Sequence, residues 1–210
     1  MNADWHLDTS FDRQYPALNN TERQKVATEL LDAFRESLAE HALMDNLDGN
    51  EFVALAQHHG LPTRLLDWSE SPYIAAYFAF SEALMSREEE TSVAVWVLDT
   101  ESPIWAEESG VAILTVHSSS NLRLRNQYGR FTLSKTPFKT LEEYVIACDG
   151  GNALRQIVLP ASEAPKALSD LDVMGINSSR LFPDISGCAR NARMKVAVAH
   201  PHQRDFLKRT

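Results

Sequence analysis

"AQHHGLPTRLLDWSESPYIAAYFAF", residues 56–80, sets two histidines, a glycine turn, an arginine, an aspartate and a tryptophan directly before an apolar helix. Pro62 drives Leu61 toward extended backbone, so the chain leaves a helix that ends near Gly60 and runs as a loop or short strand through Trp68. Side chains alternate along an extended segment. Arg64, Leu66 and Trp68 then share one side, Leu65 and Asp67 the other, and Arg64 and Asp67 need different partners. Ser71 is a helix cap and Pro72 suits the first turn, where no amide hydrogen is required. The helix from Pro72 is apolar nearly all round and belongs at the centre of the molecule.

Working outward, "NNTERQKVATELLDAFRESLAEH" (19–41) reads as a helix. Thr21 is placed as its cap with Gln24 three residues on, and Val26, Leu30, Leu31, Phe34 and Leu38 form the core-facing stripe. A shorter helix covers residues 50–58. Strands come next at "SVAVWVLD", "VAILTV", "GRFTLS" and "RQIVLP", with helices at "TLEEYVIAC" and "APKALSDLDVMG" between and after them. The ending "FPDISGCARNARMKVAVAH" reads as a helix with Phe182, Ile185 and Ala189 on one side. Helices first, then a mixed strand-and-helix half, give an α+β fold. With no repeat, linker or low-complexity tract in 210 residues, one domain over 1–210 is expected.

Composition narrows the function classes. The 29 acidic against 20 basic residues, net −9, argue against coating nucleic acid by charge alone. The basic cluster from Arg180 to Arg209 is read as a solvated helical face. No apolar run reaches membrane-spanning length, no signal pattern opens the chain, and Cys148 and Cys188 lack metal spacing; a cytoplasmic location without membrane contact is expected. The composition sets no oligomeric state.

Two groups of residues could carry chemistry. In the first, the Arg64 guanidinium suits a carboxylate or phosphate, and a buried brace explains Arg64 about equally well. Asp67 is better read as part of such a brace. His58 and His59 diverge at a helix end, so no metal is expected. In the second, "NLRLRNQYGRFT" (121–132), Gln127 offers a donor and an acceptor, Gly129 allows close backbone approach, and Arg123 could hold a phosphate, while Arg125 and Arg130 are surface arginines. No Gly-x-Ser-x-Gly elbow or glycine-rich phosphate loop is present.

"LAQHHGLPTRLLDWSESPYIAAYFA", the Asn121–Arg123–Gln127–Gly129–Phe131 spacing and "MGINSSRLFPDISGCA" together resemble the FRG domain, a bacterial and phage-associated family named for a Phe-Arg-Gly motif. "WHLDTSFDR" (5–13) is similar to the family's segment just after that motif. The motif itself does not precede it: either the start is truncated or this member has lost the motif, and the loss would remove a donor the family would aim at ligand phosphate or ribose. The order of motifs is similar to that of ADP-ribosyltransferases. By fold-level analogy, the resemblance implies an ADP-ribosyltransferase-like toxin or phage-defence effector that uses NAD to modify a protein or nucleic acid. It would make Gln127 and Arg64 catalytic, with His58, His59, Asp67, Trp68, Asn121 and Arg123 binding the ligand. The alternative is a non-catalytic module that recognises a nucleotide, a phage component or a partner protein.

Overall fold

Short polar side chains decide where the helices begin. In the computed structural model, which describes residues 5–40, 48–86, 91–106, 108, 110–116 and 122–200, the Asp48 carboxylate accepts the Glu51 amide and Glu51 returns a bond to the Asp48 amide. That capping box starts α3 (Gly49–His58). Gly60, at φ 89°, ends it in the left-handed region where a glycine carries no Cβ penalty. Ser71 caps α4 (Pro72–Met85) through the Ile74 amide, with Pro72 in its first turn. Ahead of these lie α1 (Ser10–Gln14) and α2 (Asn20–Glu40). The α2 cap is Asn19, reciprocated by Glu22, two residues earlier than Thr21 and Gln24. Its apolar stripe is only half-buried and packs on α3, with Phe34 5.6 Å from Phe52.

Among the described residues the strands pair antiparallel, in two small sheets. β1 (Leu65–Ser69) pairs with β4 (Gly129–Ser134), which pairs with β3 (Val111–Leu114). β2 (Ser92–Leu98) pairs with β5 (Leu154–Pro160). The register Asp67↔Phe131 fixes which side chains of β1 face α3. Short α5 (Leu122–Asn126) precedes β4, and α6 (Leu141–Ala147) comes after it with Thr140 as cap. A 3₁₀ turn (Ala161–Glu163) leads into α7 (Ala164–Val173), then α8 (Ser178–Leu181) and α9 (Ile185–Ala199). The α+β class holds, with these small antiparallel sheets as its β component. No helix among the described residues is long and apolar enough to cross a membrane.

Three apolar clusters meet around β1 and β2. The largest gathers α4 with α7, α8, α9 and β2. A second joins Leu7, Trp105, Leu141, Tyr144 and Val145, and a third is built from Ala54, Leu65 and Phe131. Helix α4 is central, as its all-round apolar surface requires: Ile74, Tyr77, Phe80 and Leu84 are buried. The buried face of α9 differs from the expected one. Ile185 is 88% exposed and Ala189 is exposed, while Gly187, Met194 and Ala197 face inward. Phe182 is buried, but it terminates α8 and is not part of α9. Gly187 sets this geometry, since a Cβ there would lie 1.9 Å from the Phe182 carbonyl oxygen.

Candidate functional site

The two charged side chains at β1 go to different places. Arg64, just before the strand, is 6% exposed. Its Nη2 donates to the Thr136 carbonyl at 2.7 Å, and its Nε has no partner among the described residues. Beside it lies a buried ion pair that no local motif signals. Arg23 Nη2 and Nε both meet Asp12 Oδ1, at 2.6 and 2.9 Å, and the remaining donors reach the Pro137 and Phe138 carbonyls. Burial, and next the Arg23 charge, lower the Arg64 pKa, against the attraction of Asp12. Arg64 is therefore part of a structural brace that pins the N-terminal segment to the turn after β4, and it does not line the cleft between α3, α4 and β1. Nothing in the residue types near Arg64 announced that brace; Asp12 and Arg23 lie 11 positions apart on separate helices.

Asp67 goes the other way, to the wall of that cleft, a space of about 530 Å³. β1 is an edge strand, and its free side borders the cleft together with α3, α4, β2 and α5. Leu66, Trp68, Phe78, Trp96 and Phe131 make the lining largely apolar and aromatic. Asp67 also lines a second, smaller cavity of about 190 Å³ beside Ser10, Gly60 and Leu61, so the carboxylate stands where the two spaces meet. Its orientation is imposed by a relay. The Thr63 hydroxyl donates to Gln57 Oε1, which turns Gln57 Nε2 toward Asp67 Oδ2 at 2.7 Å. Water reaches the Asp67 side chain, yet protein surrounds it closely enough that desolvation raises its pKa, opposed by Arg123 and by the Gln57 bond. Asp67 is thus held by the Thr63–Gln57 relay and at the same time stands at the cleft wall, with no bond to Arg64.

The remaining candidates sort by contact. Arg123, on α5, lines the cleft with its guanidinium 4.4 Å from the centre of the Phe182 ring. His58 lines it too, and burial, then the Arg123 and His59 charges, lower its pKa, so the imidazole is neutral at neutral pH. His59 is exposed and outside the lining, its ring meeting His58 edge-on at 5.1 Å. Trp68 is half-buried, and its Nε1 donates to Thr132 Oγ1 at 3.0 Å, so it serves both core and wall. Gln127 lines the cleft while Nε2 donates to the Leu181 carbonyl at 3.1 Å and its own carbonyl accepts Ser69 Oγ at 2.8 Å. These bonds join the β4 entry to β1 and α8. Gly129 does permit close approach, but to Leu124: an added Cβ would lie 2.2 Å from Leu124 Cδ1. Arg130 pairs with Glu70 at 2.5 Å, in keeping with a surface role. Asn121 lies outside the described residues.

The structure thus brings Asp67, His58, Arg123, Gln127 and Trp68 to one cleft and separates Arg64 from it. The described residues contain no cluster of three or more acidic, histidine or cysteine side chains placed to hold a metal ion. No curated protein and no solved structure matches the chain. The model of the FRG domain matches residues 1–88, from the N-terminal segment through the end of α4, and so takes in the α3, β1 and α4 walls of the cleft but not α5 or β4. The match to the FRG domain thus covers residues 1–88, and the remainder of the chain lies outside it.

Proposed function

We propose that the cleft binds NAD and supports ADP-ribosyl transfer, with Asp67 as the acting carboxylate and a protein or nucleic-acid group as acceptor. One observation carries this reading: a carboxylate that water reaches but that surrounding protein partly desolvates, and a guanidinium without a hydrogen-bond acceptor among the described residues, share one aromatic-walled cleft. Its volume lies in the range typical of small-ligand sites, about 300–1,000 Å³. Glu51 also lines it but is committed to its capping box.

In the reaction, the ribose C1′–N bond breaks and its electron pair leaves with neutral nicotinamide. The sugar becomes an oxocarbenium cation, which a nearby carboxylate stabilises in a site of low polarity. The acceptor lone pair then bonds C1′, and its proton passes through Asp67 to solvent. A raised carboxylate pKa suits that exchange. Arg123 would hold the diphosphate. Gln127, with Nε2 committed to α8, would present Oε1 to a ribose hydroxyl. The smaller cavity gives an acceptor a separate approach to Asp67. A toxin or phage-defence setting would be consistent with such an activity.

The bonds tying Gln127 to α8 and β1 favour the other reading, a nucleotide-binding module without turnover. Nicotinamide release from NAD separates the two. The transferase reading expects release by the native chain, reduced in Gln127→Ala at unchanged folded fraction. Saturable NAD binding without release, with and without cell extract as a source of acceptor, would establish the module instead.

A further inference from the structure

Arg123 is not the sole cation on Phe182. The Arg190 guanidinium, from α9, also lies 4.4 Å from the centre of that ring. Phe182 is 4% exposed, its backbone is held by the tight approach of Gly187, and its ring meets Phe78, a cleft residue, edge-on at 6.1 Å. Both guanidiniums are exposed, and neither donates a hydrogen bond or pairs with a carboxylate within 4 Å among the described residues. Asp184 and Asp67 act on Arg123 only at longer range, and Arg190 opposes its charge. Two like charges gathered on one rigid platform repel, and an anion bridging them removes that repulsion.

We propose that Arg123 and Arg190, seated on Phe182, form a clamp for a diphosphate group at the rim of the cleft. Each guanidinium presents planar donors matched to phosphate oxygens, and two of them can engage adjacent phosphates. A small diphosphate ligand fits better than a nucleic-acid strand, because a chain of net −9 repels a long polyanion. The proposal deepens the NAD reading and rests on it for the identity of the ligand; the anion chemistry is tested independently.

The probe is inorganic pyrophosphate, titrated calorimetrically at fixed ionic strength. The native chain should bind it more tightly than inorganic phosphate. Arg190→Gln and Arg123→Gln should each weaken binding about tenfold or more, with Arg190→Lys between native and Gln because it keeps charge but loses the planar fork. ADP-ribose should compete with pyrophosphate. No pyrophosphate binding, or affinity unchanged in Arg190→Gln, overturns the clamp. Competition by a single-stranded oligonucleotide but not by ADP-ribose also overturns it and assigns the platform to nucleic acid. Because Arg190 is exposed, its variants should fold, and circular dichroism checks that they do. Pyrophosphate and ADP-ribose binding without nicotinamide release would leave the clamp standing and sink the transfer reaction. Release without pyrophosphate binding would do the reverse.

Discussion

Replacing Arg64 with methionine should cost the protein almost nothing, whereas replacing Asp12 with asparagine should nearly unfold it. Among the described residues the Arg64 side chain makes one hydrogen bond, from Nη2 to the Thr136 carbonyl, and losing a bond from a charged donor costs about 1.5–3 kcal/mol. The same change removes a buried Nε without a partner, a burden of about 1–3 kcal/mol. It also removes a charge disfavoured by burial and by Arg23. The opposing terms are of equal size, so the net change should stay within about 1 kcal/mol, as when a buried charge gives way to an apolar side chain of similar volume. Asp12→Asn instead leaves Arg23, 2% exposed, and Arg64 without their shared counter-charge, and breaking a buried pair this way costs roughly 3–5 kcal/mol. Urea titrations of both variants, compared at unchanged slope, measure the difference. A loss of about 3 kcal/mol or more in Arg64→Met would refute this balance of terms, and a loss of less than about 1 kcal/mol in Asp12→Asn would refute the brace. So would the loss of ligand binding in a folded Arg64→Met.

Asp67→Asn should be at least as stable as the native chain at neutral pH. A folded pKa above the unfolded one means that the ionised carboxylate costs stability, fully so above the folded pKa; the advantage of the variant should vanish as pH falls below the ordinary value of 3.8, which thermal melts against pH would show. Gly187→Ala should lower stability by on the order of 3 kcal/mol, because its Cβ meets the Phe182 carbonyl with no flexible atom to yield; denaturant midpoints check this. Tyr77→Phe strands the fully buried Ser178 hydroxyl and should cost about 1–3 kcal/mol on the same assay, with Tyr77→Phe/Ser178→Ala recovering part of the loss.

Local chemistry made most elements legible. Ser71 with Pro72, Gly60, and the β-branched run at 92–98 each act over a few residues, and each lies where its chemistry puts it. Alternation along β1 was legible too, and it alone required that Arg64 and Asp67 find different partners. Which of them met the cleft was not legible. That choice depends on Asp12 and Arg23 occupying one side of β1 and on Gln57, fixed by Thr63, reaching the other. The same limit applies at α9: helical spacing suggested an Ile185 face, but Gly187 is the residue that lets the helix approach α8. Arg190 read as a solvated cation for the same reason, since its ring partner belongs to a different helix.

The most direct measurement is nicotinamide release from NAD by the native chain, Asp67→Asn and Arg64→Met, at matched folded concentration. Release that falls at least about a hundredfold in Asp67→Asn, the scale of a lost electrostatic or acid–base contribution, and persists in Arg64→Met is the predicted result. Release that persists in Asp67→Asn and disappears in a folded Arg64→Met would place the chemistry at Arg64, outside the cleft, and contradict it.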